Sequence, residues 1–150
     1  FLSLKFSSSS ELLELCKREC EGANLLVMCA AVSDFVPTKI DGKIKKEDVG
    51  ESLNLSLKRN VDILQSLKEL KCKKIGFKLE ISNENALKSA RSMLEKKRLD
   101  AVCLNILGEK NGFASEQNEV NFITKGGETL LPLASKDEIA GRIVELAANL

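Results

Sequence analysis

The sequence predicts an α/β fold: a Rossmann-like, mainly parallel sheet flanked by helices, with an antiparallel arm (a flap) and a C-terminal hairpin. Three observations carry this. Residues 25–32, 74–79 and 101–104 read as core strands, and the first is a continuous apolar run, as expected for a strand covered on both faces. Segments of helical periodicity separate these strands, as parallel pairing requires. Near the C-terminus, residues 119–124 and 129–133 flank Lys125-Gly126-Gly127-Glu128, a strong hairpin signal.

In chain order, weak alternation over residues 1–6 predicts a short strand. Ser7 to Ser10 offer N-cap hydroxyls, and Leu12, Leu13, Leu15 and Cys16 begin a helix that ends near Gly22. The strand at 25–32 follows. Residues 34–50, with Pro37, Gly42 and many charges, read as a long loop or flap. Leu53, Leu55 and Leu57 alternate with polar residues and predict an exposed strand of a two-stranded arm. Asn60 and Asp62 are candidate starts for a helix through Leu70. Gly76 lies inside the second core strand, where a bare Cα admits close approach of another group. Leu87, Ala90 and Leu94 mark a helix over 84–97. Ile139, Ile143, Leu146 and Ala147 mark the closing helix.

At 150 residues the chain has the size of one domain and can bury a core of its own. Its formal net charge of +1 gives no global argument for nucleic acid or a membrane surface. No apolar run approaches a membrane span, and the N-terminus lacks a signal-peptide pattern. The five cysteines form no CxxC pair and no disulfide framework, which fits a reducing, cytoplasmic setting. Histidine is absent, which removes His-based acid–base catalysis, His-dependent nucleophile schemes and His-ligated metals. Chemistry here must run on Lys, Asp, Asn and backbone groups.

The most informative stretch is Ala30-Ala31-Val32-Ser33-Asp34-Phe35, followed by Lys43-Ile44-Lys45-Lys46. An apolar strand delivers a carboxylate at its C-terminal end, where open α/β sheets bind ligands, and a basic loop comes next. Such an arrangement suits a polyphosphate. A turn cap at Asp34 and a solvated loop at Lys43 are the plain alternatives. Neither GxGxxG nor GxxxxGK[ST] is present. A doubly wound domain without its phosphate turn reads as a fragment, or as the ordered part of a longer chain.

Five places, taken together in order and spacing, give the sequence a family likeness. They are Cys29-Ala30-Ala31-Val32-Ser33-Asp34-Phe35; Lys43-Ile44-Lys45-Lys46; Asn60-Val61-Asp62-Ile63-Leu64; Gly76-Phe77-Lys78-Leu79-Glu80; and Asn105 with Gly112-Phe113-Ala114-Ser115 and Asn118. Residues 1–150 thereby resemble the C-terminal two-thirds of phosphopantothenoylcysteine synthetase (phosphopantothenate–cysteine ligase). In bacteria this is usually the second half of a bifunctional coenzyme A biosynthesis protein, fused behind a flavin-dependent decarboxylase that would carry FMN.

The resemblance implies a reaction. Bacterial members use CTP with Mg²⁺: the carboxylate of 4′-phosphopantothenate attacks the α-phosphate, giving an acyl-cytidylate and pyrophosphate, and the amine of cysteine then displaces CMP. Nucleotidyl transfer of this kind needs positioning and charge neutralisation more than a nucleophile from the protein. By resemblance Lys43 is the catalytic lysine on a closing flap. Asp34 is the nucleotide-contacting aspartate, with backbone groups of Cys29, Ala30 and Ala31 beside it. Val61, Asp62, Ile63 and Leu64 form a helix start whose N–H groups can hold phosphate or a base edge. Phe77 flanks the base, and Lys97 holds phosphate.

Two departures stand out. Val61 replaces the family's usual proline, a residue preorganised for the first helical turn. Met93 stands where a second lysine is usual, which leaves Arg91 and Lys96 as candidates to replace it. The family's Gly-Gly-Thr-type turn and its Asn-x-Ser-Ser-Gly-like loop do not occur here. The resemblance therefore implies that this stretch carries mainly the nucleotide half of the site and is inactive alone. It also implies a homodimer through the 34–58 arm. The rival reading is a non-catalytic nucleotide-binding or dimerisation module.

Overall fold

The computed structural model describes residues 2–39, 41–45, 47, 50–81, 84–108 and 115–150. In chain order the elements are α1 (Ser9–Glu19), β1 (Leu25–Met28), β2 (Phe35–Pro37), β3 (Leu57–Arg59), α2 (Ile63–Ser66), β4 (Lys73–Glu80), α3 (Ala86–Lys96), β5 (Ala101–Ile106), β6 (Gln117–Thr124), β7 (Glu128–Ser135) and α4 (Lys136–Ala147). Five strands form one sheet in the order β1-β4-β5-β6-β7, and β2 pairs with β3 in a separate two-stranded arm. β1, β4 and β5 run parallel, with Met28 beside Gly76 and Gly76 beside Val102. β6 and β7 add on antiparallel as the predicted hairpin.

Alternation along the buried strands sends side chains to two cores. Val102 and Leu104 join Leu64, Leu67, Ala90, Leu94 and Leu99 beneath α1, α2 and α3. Ala101 and Cys103 join Ile75, Phe122, Ile139 and Ile143 beneath α4. Local chemistry sets the helix starts. Ser8 Oγ accepts from Glu11 N at 3.2 Å, while the Glu11 carboxylate accepts from Ser7 N at 2.6 Å. Ser135 Oγ accepts from Glu138 N at 3.2 Å in the same way for α4. α3 ends in a Schellman turn: Leu99 N–H bonds Leu94 O and Arg98 N–H bonds Glu95 O, with Arg98 at φ 51°.

Gly76 is the position where packing decides the residue. A Cβ built there would meet Met93 Cε at 2.8 Å, Leu99 Cδ1 at 2.9 Å and Leu64 Cδ1 at 3.1 Å. Two helices and a loop thus press on bare backbone in the middle of β4.

Four expectations need correction. Residues 2–6 form no strand, and Leu2, Leu4 and Phe6 are exposed, because no strand among the described residues pairs with them. β1 ends at Met28 rather than at residue 32, since the chain leaves the sheet there to run across its C-terminal edge. Of the strand expected through Leu53, Leu55 and Leu57, only Leu57–Arg59 forms, paired with Phe35–Pro37; Thr38 N to Ser56 O adds one more bond, and Leu53 and Leu55 lie beyond it, exposed. α2 stops at Ser66 because the following bonds, Leu67 N to Leu64 O and Leu70 N to Leu67 O, close tighter i→i+3 turns. Lys46 and the stretch Gly112-Phe113-Ala114 lie outside the described residues.

Candidate functional site

The site lies at the C-terminal edge of β1, β4 and β5, where residues 29–34 pass over the strand ends and meet the start of α2. Asn60 ties these parts together. Its Oδ1 accepts from Ser9 Oγ at 2.8 Å and from Val61 N at 2.9 Å. Its Nδ2 donates to Ser33 O at 2.8 Å, and its backbone N donates to Asp34 O at 2.8 Å. One amide therefore joins α1, the strand-end segment and the entry to α2. Of the two candidate helix starts, Asn60 and Asp62, the cap is Asp62, whose Oδ1 accepts from Gln65 N at 3.0 Å.

Between these walls is a cavity of about 410 Å³, within the range of small-ligand sites. Cys29, Ala30, Ala31, Asp34, Val61, Asp62, Ile63, Leu64, Phe77 and Lys97 all line it, as do Met93 and Asn105. The sequence reading had set these residues on separate segments; the fold brings them together. Lys97 Nζ lies 3.0 Å from Asp62 Oδ2. Of the N–H groups at the start of α2, Val61's is taken by Asn60 and Gln65's by Asp62.

Lys43 is exposed in the arm and does not line this cavity. Arg91 and Lys96 do not line it either; Arg91 Nη2 instead faces Glu128 Oε2 on β7 at 3.4 Å. The methyl end of Met93 packs on Gly76. Sequence reasoning quoted Lys78 and Asn60 in its motifs without giving either a role at the site, and took Asn118 only as a loop-shaping residue. Lys78 and Asn118 both line the cavity. Period-two alternation from Gly76 was the available signal for Lys78.

A second, apolar groove of about 270 Å³ opens beside the first, between β1 and α4, and shares Cys29, Phe77 and Asn118 with it. Burial raises the Cys29 thiol above its ordinary value, and pushes Cys103, behind it in the sheet, up to about 12. Among the described residues no group of three or more Cys, Asp or Glu side chains could hold a metal ion. No helix among the described residues is long and apolar enough to cross a membrane.

A mainly parallel five-stranded sheet flanked by helices, with a cleft at the carboxyl ends of its parallel strands, defines an α/β domain of the Rossmann-like class. The chain belongs to the DNA/pantothenate metabolism flavoprotein C-terminal domain family, whose model it matches over residues 3–150; this is the phosphopantothenoylcysteine synthetase likeness read from the motifs. It is 33% identical over 146 residues to the coenzyme A biosynthesis bifunctional protein CoaBC of Vibrio cholerae, covering 93% of this chain and 36% of that protein. The CoaBC of Thermococcus kodakarensis is 35% identical over 147 residues, covering 93% of this chain and 35% of its own length. The chain thus spans about a third of the curated relatives it matches. Among solved structures, the DNA/pantothenate metabolism flavoprotein from Streptococcus pneumoniae superposes with a TM-score of 0.74 at 24% identity, covering 97% of this chain and 69% of that one. A Cab2 mutant in complex with phosphopantothenate-cysteine superposes with a TM-score of 0.68 at 22% identity, covering 97% of this chain and 54% of that one. These likenesses establish the fold.

Proposed function

We propose that the intact protein is a ligase of coenzyme A biosynthesis that joins 4′-phosphopantothenate to cysteine, and that residues 1–150 are the C-terminal two-thirds of its ligase domain, carrying mainly the nucleotide half of the site. The observation that supports this reading is the meeting of all the residues matched to the nucleotide site, from Cys29 to Lys97, around one cavity. The relatives' role in coenzyme A biosynthesis agrees with it.

In this reading CTP enters with Mg²⁺. Its base lies by Phe77 and the backbone of Ala30 and Ala31, and its phosphates lie towards Lys97. The carboxylate of phosphopantothenate attacks the α-phosphorus, the α–β bridge breaks, and pyrophosphate leaves. Cysteine's amine then adds to the acyl carbon and CMP departs with the electron pair. Lys43 reaches the cleft when the arm folds over it and steadies negative charge on the acyl-cytidylate. The exposed apolar residues Phe35, Leu55 and Leu57 on the arm suit a two-fold pairing of protomers. A fused flavin decarboxylase and a cytoplasmic location complete the proposal; the unpaired cysteines fit the latter.

The test is an assay of the intact protein with phosphopantothenate, cysteine and CTP·Mg²⁺, following CMP and pyrophosphate release. Lys43→Ala should lower turnover by about 10²-fold or more with the fold unchanged. Product formation at an undiminished rate would remove Lys43 from the mechanism, and a preference for ATP would overturn the choice of base. Residues 1–150 alone should be inactive.

One observation favours a second reading, a module that binds nucleotide or pairs protomers without catalysis. Met93 supplies packing on Gly76 where the family usually has a cation. Absence of ligation by the intact protein, with CTP binding retained, would decide for it.

A further inference from the structure

The cleft holds a lysine, Lys78, to which the resemblance above assigns no role. Lys78 stands on β4 two residues beyond Gly76, so alternation puts it on the face that carries Met93 and Leu64. It lines the cavity, and its Nζ lies 3.0 Å from Glu80 Oε1 with 24% of the side chain exposed. The ionisable carboxylates and cations of the lining are Asp34, Asp62, Lys78 and Lys97. Lys97 is already matched by Asp62 at 3.0 Å. Lys78 is matched by Glu80, so a polyanion entering the cleft must draw one of these two lysines from its partner.

The two ion pairs differ in how readily they open. Asp62 is fixed by its bond to Gln65 N, which also caps α2, so Lys97 keeps its partner in place. Glu80 ends β4, and it also takes a hydrogen bond from Ser89 on α3, which would remain if Lys78 moved away. Met93 offers no charge, and Arg91 is engaged with Glu128.

We propose that Lys78 is the second phosphate-holding cation of this cleft: it leaves Glu80 to contact the phosphate chain of a bound nucleoside triphosphate, beside Lys97, and supplies the charge that Met93 does not. The proposal rests on the nucleotide reading above. Glu80 is then the resting partner that keeps Lys78 at the cleft wall between ligands. Charge-assisted N–H···O–P bonds are strong enough for one such lysine to matter.

The experiment is calorimetric titration of the intact protein with CTP·Mg²⁺ and, separately, with inorganic tripolyphosphate, for the unaltered protein, Lys78→Met and Glu80→Gln. Lys78→Met keeps the apolar stem and removes the charge, and urea unfolding checks that each variant is folded. Lys78→Met should weaken both ligands about 10- to 100-fold. Glu80→Gln, which releases Lys78, should leave binding equal or tighter. Unchanged CTP affinity in folded Lys78→Met overturns this inference and leaves the nucleotide reading standing. So does a loss of CTP affinity with tripolyphosphate unaffected, which would put Lys78 on the base or sugar. Weaker binding in Glu80→Gln also counts against it. If the unaltered protein binds neither ligand, the nucleotide reading fails and this inference with it.

Discussion

Asp62 serves two partners at once: its Oδ1 accepts from Gln65 N at 3.0 Å and its Oδ2 lies 3.0 Å from Lys97 Nζ. The same carboxylate therefore starts α2 and positions a cation that arrives from the end of α3. Since Asp62 is about half exposed, the ion pair itself adds at most about 1 kcal/mol and the cap dominates.

Asp62→Ala should then destabilise the fold by about 1 kcal/mol, the usual loss of a capping side chain. Asp62→Asn should retain most of that stability, because its amide oxygen still accepts from Gln65 N, while it frees Lys97. Urea unfolding separates the two. Equal losses in both variants would show that the ion pair, and not the cap, carries the effect.

Gly76→Ala should cost about 1–3 kcal/mol, the range for overpacking a filled core. The added methyl would stand 2.8 Å from Met93 Cε and 2.9 Å from Leu99 Cδ1. Met93 can swing its flexible end aside, but Leu99 is almost wholly buried and cannot. Shortening Met93 in the same protein should recover part of the loss, and no recovery would place the clash on Leu99 alone.

Acid should weaken the fold through two carboxylates. Hydrogen bonds from the Ser7 backbone and hydroxyl hold Glu11 below its ordinary value of 4.5, and the bond from Lys78 does the same for Glu80. Both are depressed in the folded state, so their stabilisation is fully present above the unfolded value, near 4.5. It is lost as pH falls through the folded values. Unfolding midpoints measured from about pH 6 down to about pH 3 should fall over that interval, and less steeply in Glu80→Gln. An identical slope in the variant would remove Glu80 from the account.

Thiol labelling should follow burial. Cys29 is accessible at the cleft although partial burial raises its thiol above the ordinary value, whereas Cys72 and Cys103 are buried. With an alkylating reagent at about pH 8, Cys29 should react in the folded protein and Cys103 only on unfolding, since burial holds its thiol protonated. Peptide mass spectrometry reads the order directly. Labelling of Cys103 under native conditions would reveal local opening of β5.

Much of the fold was legible because burial leaves a local trace. The apolar runs at β1 and β5, the glycine turn at 125–128 and the close approach at Gly76 are each visible within a few residues of sequence. The site was legible as pieces, through motifs that the fold then gathered at the strand ends. Asn60 was read as a helix start because its real partners, Ser9 and Ser33, lie 51 and 27 residues away. Lys78 was quoted in a motif but given no role, inside a strand read as core, although alternation from Gly76 turns it to the cleft. Residues 2–6 have the pattern of a strand and no strand among the described residues pairs with them, since pairing is not a local property.

The arm has its root in the cleft. β2 begins one residue after Asp34 and β3 ends one residue before Asn60, and the Asn60 N to Asp34 O bond of 2.8 Å is the next rung beyond the Phe35–Arg59 pair. Asn60 in turn grips Ser33 and Ser9. The base of the arm is therefore built from the same residues as a wall of the cavity, and any displacement of the arm at this rung is also a displacement of Asp34. By reciprocity, a ligand that spreads or tightens that wall changes the angle at which the arm is offered to whatever grips it.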